Sequence, residues 1–186
     1  MNVKLKDSTL DKFFNPSSVA VIGASNAPFN LGATICNCLR EYIPFAGSVY
    51  AVNRKGESVH GWPGYTSVLD IPDQVDLGVI ITPAAVVPHF MRECGRKGIR
   101  NIVIESAGFS EQGEDGLRLQ REIDDAVRTH GIRVLGPNCL GVLDNQSHFC
   151  CFYGAYKEIM DVFKKPGGVS YIVQSGGVGV VIIESL

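Results

Sequence analysis

The stretch Ser18-Val19-Ala20-Val21-Ile22-Gly23-Ala24-Ser25 decides the fold. Its unbroken run of small and apolar residues reads as a strand covered on both faces, the pattern of a parallel sheet held between helix layers. The strand runs into a tight turn of small residues at Gly23. Beyond it, residues 30–42 read as a helix, with Leu31, Ile35, Leu39 and Ile43 spaced to share one face. Working outward, residues 48–53, 76–82, 100–105 and 132–135 are further apolar strands. Helices over 84–97, ended by Gly98, and 114–130, ended by Gly131, alternate with them. A short helix over 10–14 precedes the first strand. Residues 56–72, broken by Gly61, Pro63 and Gly64, form a loop with a short strand or turn inside. Strands alternating with helices define an α/β, doubly wound, mostly parallel sheet.

Composition limits what such a chain does. Its 186 residues suffice for one domain with a full core, and 45% apolar content excludes disorder. A formal net charge of -2 gives no general pull toward nucleic acid or acidic membrane, so neither is expected as a partner. No apolar run is long enough to span a bilayer. The first residues alternate Lys, Asp and apolar side chains without a secretory core, and a cytoplasmic location is expected. None of the six cysteines forms a C-x-x-C pair, so the expectation is buried, reduced thiols and no metal site.

After Leu135 the rhythm changes. Gly136-Pro137-Asn138-Cys139-Leu140-Gly141 is a turn, 149–153 is expected to add an edge strand, and 164–168 is a break. Residues 169–173 are expected to start a new strand, followed by Gln174-Ser175-Gly176-Gly177 and an apolar helix. One strand and one helix cannot build a core. The expected division is therefore a first domain over 9–147, an edge strand and connection over 148–168, and over 169–186 the truncated start of a second α/β domain. The apolar tail is expected to pack on the first domain or to pair with a second copy in a homo-oligomer.

The candidate site residues lie where strands end. Ligands of open α/β sheets bind beyond the carboxyl ends of the strands. Gly23, Ala24, Ser25 and Asn26 form the first turn, whose backbone N–H groups and following helix suit an anion, although the strict G-x-G-x-x-G pattern is absent. Asn53-Arg54-Lys55 ends the second strand. An NAD-binding unit places an acid at that tip for the ribose 2′-hydroxyl, whereas two cations suit a ribose that carries a phosphate, as in coenzyme A or NADP. Thr82 and Pro83 close the third long strand, with small residues that let an adenine or pantetheine arm lie on backbone. Glu105, Ser106 and Ala107 close the next, and Glu105 reads either as part of a pantetheine channel or as a buried acid beside a cation. Ser175 opens a helix and marks a second anion site. His60, His89, His130 and His148 sit in no nucleophile or metal pattern, and no catalytic residue is assigned in this chain.

Taken in order, these segments resemble the NDP-forming acyl-CoA synthetases, a group that includes ADP-forming acetyl-CoA synthetase and the α subunit of succinyl-CoA synthetase. The resemblance rests on Ser18 to Ser25, Val52 to Lys55, Ile81 to Ala84, Ser106 to Phe109, Gly136 to Gly141 and Gln174 to Gly177. It implies a Rossmann-like CoA-binding domain followed by the start of a flavodoxin-like domain. It implies that Gly23 to Asn26 hold CoA phosphate, that Asn53 and Lys55 meet the nucleotide's phosphate region, and that Thr82, Pro83 and Glu105 to Ala107 border adenine and pantetheine. Asn138, Ser175, Gly176 and Gly177 are implied as phosphate-loop residues. The complete enzyme would run acyl-CoA + NDP + phosphate = acid + NTP + CoA, using ATP or ADP, Mg and an ATP-grasp subunit or domain. The phosphohistidine is expected beyond Leu186, so this chain is expected to bind CoA without turning over. Two rivals remain at this point: a stand-alone CoA-binding or redox-sensing module, and an NADP-dependent oxidoreductase.

Overall fold

The computed structural model describes residues 10–154 and 167–185. Six parallel strands form the main sheet: β1 (Ser18–Ile22), β2 (Ser48–Val52), β3 (Gly64–Tyr65), β4 (Leu77–Ile80), β5 (Asn101–Ile104) and β6 (Arg133–Leu135). Their order is β3-β2-β1-β4-β5-β6, the arrangement of a dinucleotide-binding Rossmann sheet. β1 is central, in register with β2 from Ser18 opposite Ser48 to Ile22 opposite Val52, and with β4 from Val19 opposite Leu77 to Ile80 opposite Ile22.

Side chains alternate across each strand, and both faces are covered. On one face Ala20, Ile22, Ile80, Ile102 and Ile104 pack with residues of α3 (Val87–Lys97) and α4 (Gly113–His130), among them Met91, Cys94, Ile123 and Ala126. On the other, Val19, Val21, Leu77, Val79 and Val103 meet Phe13 of α1 (Asp11–Phe14) and Ile35, Cys36 and Leu39 along α2 (Leu31–Asn37) and its extension. The continuous apolar strands are therefore buried because helices lie on both sides. α3 and α4 stop at Gly98 and Gly131, each left-handed.

The structure departs from the sequence reading in four places. The helix over 30–42 continues α2 into a π-helical turn at Cys38–Tyr42. Ile35, Leu39 and Ile43 are buried, but Leu31, the first residue of α2, is 46% exposed. Cys36 joins the cluster on the sheet while Cys38 turns into a separate one with Ile43, Cys150 and Phe152. The segment 149–153 adds no edge to the main sheet. Instead, β7 (Leu143–Asp144) and β8 (Phe149–Cys150) form a two-stranded antiparallel ribbon. Its Phe149 is buried against α2's face of the sheet.

The expected strand over 169–173 is not formed among the described residues. Val169, Tyr171, Ile172 and Val173 are exposed, because apolar β-branched sequence makes a strand only where a neighbour supplies the hydrogen-bond ladder. The helix that follows, α5 (Gly176–Glu184), is present, and its Val180 packs on the cluster around Cys38 and Cys150. The break expected over 164–168 lies partly outside the described residues. All six cysteines are free, five of them buried. No helix among the described residues is long and apolar enough to cross a membrane.

Central burial predicts where stability resides. Ile22→Ala should destabilise the protein by about 2–5 kcal/mol in urea denaturation, while Leu117→Ala, on the exposed side of α4, should stay within about 0.5 kcal/mol.

Candidate functional site at the carboxyl edge of the sheet

The order of strand addition reverses at β1: β2 lies on one side of it and β4 on the other, so the connections leaving β1 and β4 run to opposite faces and leave a crevice between them. Gly23 forms its floor. It adopts a φ of +103°, and a Cβ there would stand 2.2 Å from the carbonyl oxygen of Ile81. Gly32, in the first turn of α2, has the complementary role. A Cβ on it would come within 2.7 Å of the Cα of Ala24. Two glycines thus supply the tight turn and the close helix approach that the G-x-G-x-x-G pattern supplies elsewhere, at a spacing that pattern does not contain.

Asn30 holds this turn in shape, a role absent from the sequence reading. Its Oδ1 accepts from the Ala33 N–H at 2.8 Å, capping α2, and from the Ser25 N–H at 3.0 Å. Its Nδ2 donates to the carbonyl of Gly23 at 3.0 Å. An asparagine directly before an apolar helical pattern is a helix-start signal, and that signal was available. The consequence corrects one expectation. The Ser25 N–H points at Asn30 and the Gly23 N–H at Val52, so neither faces an anion. Beyond Ala33, whose N–H Asn30 takes, an α-helix leaves the N–H groups of its first turn, here Leu31 and Gly32, without an intrahelical acceptor.

The second-strand tip is tied to this turn. Asn26 Nδ2 donates to the Ser58 carbonyl at 2.9 Å. Asn53 organises its own loop: Oδ1 accepts from the N–H groups of Lys55 at 3.2 Å and Glu57 at 3.1 Å, and Nδ2 donates to the Glu57 carbonyl at 2.8 Å. Arg54 and Lys55 are held outward in solvent. The Lys55 side chain is 77% exposed, and its Nζ pairs with Glu57 at 3.4 Å. So exposed a pair is weak and leaves the cation available. Between the first turn, α2 and the 58–62 loop lies an open cleft of about 460 Å³, lined by Ser25, Asn26, Asn30, Thr34, Tyr42 and His60. The sequence reading had not placed His60 or Tyr42 there.

On the other side of β1 the remaining segments converge. The Thr82 N–H donates to Ser106 Oγ at 3.0 Å, and the Asn138 N–H donates to the Ser106 carbonyl at 2.9 Å. Pro83 and Ala107 are exposed beside them. Gly176 at the start of α5 abuts Leu140, and so Ser175 to Gly177 stand next to the Gly136–Gly141 turn. Among the described residues no three His, Cys, Asp or Glu side chains are grouped to hold a metal.

Glu105 is the unusual member. It is 5% exposed, and neither carboxyl oxygen has a hydrogen-bond partner. No cation stands beside it among the described residues, so of the two readings made from sequence, the buried acid paired with a cation is not the one they build. Burial pushes its pKa well above the ordinary glutamate value, and the nearby Cys139 and Cys150 push it further the same way.

Two outcomes follow. Asn30→Ala, which removes the cap and both bonds across the turn, should cost about 1–2 kcal/mol of stability in thermal denaturation. For Glu105, a folded-state pKa raised above the unfolded one contributes stability that is complete below the unfolded pKa. That contribution is lost as pH rises through the folded pKa. The Tm of Glu105→Gln relative to the parent should therefore rise as pH is raised from 4 to 8. A gap that stays constant would show the acid to be charged in the fold.

The family described as CoA binding domain matches residues 17–145. The chain is 41% identical over 174 residues to the α subunit of acetate–CoA ligase [ADP-forming] II of Pyrococcus furiosus, covering 94% of this chain and 36% of that one. It is 34% identical over 170 residues to 4-hydroxybutyrate–CoA ligase [ADP-forming] of Nitrosopumilus maritimus, covering 91% and 24%. Among solved structures it resembles the apo form of dinucleotide forming acetyl-coenzyme A synthetase 1 of Ca. Korarchaeum cryptofilum. That match has a TM-score of 0.85 and 35% identity, over 95% of this chain and 36% of that one. The chain spans about a third or less of these relatives' lengths. The matched region takes in the central sheet, the first turn and the turns after β4 and β5, and on that ground the chain belongs to the CoA-binding domain family.

Proposed function

We propose that this chain is the CoA-binding portion of an ADP-forming acyl-CoA synthetase, an acid–thiol ligase that runs acyl-CoA + NDP + phosphate = acid + NTP + CoA. One observation carries the reading of the site. A glycine-built turn stands against the start of α2, beside a second-strand tip that carries Arg54 and Lys55, whose exposed pairing with Glu57 is weak. In this reading the turn Gly23 to Asn26 shapes the pocket in which the start of α2 holds a phosphate of CoA. Asn53 shapes the loop from which Lys55 reaches the phosphorylated ribose. Thr82 and Pro83, with Glu105 to Ala107, border the adenine and the pantetheine arm. The donor set fits the group: a cradle that a Cβ would fill, a helix N-terminus and an exposed cation all suit phosphate, and the small residues beyond suit an uncharged arm.

The remaining assignments concern the complete enzyme. Asn138 and Ser175 to Gly177, side by side through Leu140 and Gly176, would form part of its phosphate loop, with 169–186 opening a second α/β domain. An ATP-grasp subunit or domain would supply the ATP or ADP and Mg site, and a phosphohistidine beyond Leu186 would carry phosphoryl. The whole would work in the cytoplasm. None of the four histidines here lies in the Gly136–Gly141 or Ser175–Gly177 segments, in keeping with a chain that binds CoA without completing turnover. The acid it serves is left open by relatives named for acetate and for 4-hydroxybutyrate.

Calorimetric titration separates this reading from NADP binding, which the same cations would suit. CoA should bind more tightly than dephospho-CoA, and NADPH should give no comparable heat. Lys55→Ala should weaken CoA by about 1 kcal/mol, roughly fivefold in Kd, and leave dephospho-CoA unchanged. Equal affinity for CoA and dephospho-CoA would remove Lys55 from the phosphate site.

A further inference from the structure

A buried carboxyl with no partner is costly, by about 1–3 kcal/mol for an unsatisfied polar group, and the fold around Glu105 does nothing to relieve it. The backbone places it firmly: its N–H donates to the Ile80 carbonyl at 2.9 Å, so the side chain leaves the carboxyl end of β5 beside Ser106 and the crevice. Its surroundings come from three segments. In the Gly136–Gly141 turn, Gly141 comes so close that a Cβ there would stand 2.8 Å from Oε1. Cys139 of the turn, Cys150 of the ribbon, and Cys151 and Tyr153 after it lie near enough to raise or share in its titration, Cys150 packing its own side chain with Cys38.

These neighbours have little to offer a carboxylate. The sulfur of Cys139 accepts from the Gly141 N–H at 3.3 Å, and that of Cys151 accepts from the Val142 N–H at 3.3 Å. The backbone donors nearest the acid are thus engaged by thiols. Burial also keeps the Cys151 thiol and the Tyr153 phenol protonated, and no cation faces the acid among the described residues. A carboxyl in such a place holds its proton, and a neutral carboxyl has one strong O–H donor. That donor is unmatched among the described residues.

Building on the CoA reading above, we propose that Glu105 is a positioning residue that acts in its protonated form, donating its O–H to a carbonyl oxygen of the pantetheine arm. The adenosine end of the ligand meets charge, at Lys55 and the start of α2. The arm has amide carbonyls and no charge, and it meets a neutral donor in a dry setting, where a hydrogen bond is strongest. For the arm to reach the buried carboxyl the Cys139–Gly141 turn must move aside, and Gly141, the close neighbour of Oε1, has no side chain there. Binding then requires the proton on Glu105. Above its folded-state pKa the protein must take one up from solvent before the contact forms.

The test is calorimetry of this chain with CoA between pH 5 and 9, in buffers of different ionisation enthalpy, for the parent and for Glu105→Gln. The amide keeps a neutral N–H donor without a titrating proton. Wherever the pH exceeds the folded-state pKa of Glu105, which infrared titration of its carboxyl band in the free parent locates, the parent should take up close to one more proton per CoA than the variant. The ratio of parent to variant affinity should fall about tenfold per pH unit above the folded-state pKa. Taking the ratio cancels the ligand's own titrations and those of the neighbouring thiols. Adenosine 3′,5′-bisphosphate, which lacks the arm, should show no such difference. Equal proton counts in parent and variant would overturn the proposal while leaving the CoA reading intact. Absence of CoA binding at every pH would overturn both. If the variant does not fold, infrared difference spectra of the parent decide. The carbonyl stretch of a protonated carboxyl should shift on adding CoA and stay still with the bisphosphate; a still band in both would overturn the proposal.

Discussion

One backbone approach organises this molecule: Gly23 leaves the central strand with its Cα against the Ile81 carbonyl, where no side chain fits. That contact brings the turns after β1 and β4 to the same crevice floor. Because Gly23 turns sharply there, α2 folds back at once, and because Gly32 also lacks a side chain, the helix lies directly on Ala24. Asn30 then closes the loop with three hydrogen bonds, two to the turn and one to the helix. The donors at the start of α2 are consequently held in place before any ligand arrives, which lowers the ordering cost of binding.

The site built on that contact is graded along its length. At one end, toward β2, it is polar and exposed, with Arg54 and Lys55 on a loop that Asn53 shapes. At the other, beyond β5, it is buried, with an acid whose pKa burial pushes well above the ordinary glutamate value and thiols close by. A ligand with a phosphorylated nucleoside at one end and an uncharged arm at the other matches that gradient in order. The buried cysteines act as small apolar groups on both faces of the sheet, since burial pushes the thiols of Cys36, Cys94 and Cys151 up and keeps them unreactive.

The tail shows the limits of the same logic. Residues 169–173 have the composition of a strand and stand exposed, while α5 rests its Val180 on the cluster of Cys38, Ile43, Cys150 and Phe152. That cluster exists because the π-helical turn at Cys38–Tyr42 redirects the end of α2 toward the ribbon. The ribbon in turn sets the roof over Glu105, through Cys151. The packing of the last helix, the turn of α2 and the environment of the buried acid are therefore one connected arrangement.

What the sequence by itself determined follows from local rules. Unbroken apolar runs imply strands buried on both faces, helical spacing and terminal glycines mark α3 and α4, and the order of the elements implies a doubly wound parallel sheet. The segments at the strand ends were legible for the same reason, because ligands bind there in this class of fold. Only the tertiary structure decided the rest. The ribbon of β7 and β8, the exposed Leu31, the unpaired 169–173 segment, the bracing by Asn30 and the isolation of Glu105 each depend on partners far apart in the chain. No local pattern encodes whether a carboxyl will find a donor, because that depends on which backbone groups the packed neighbours have already engaged.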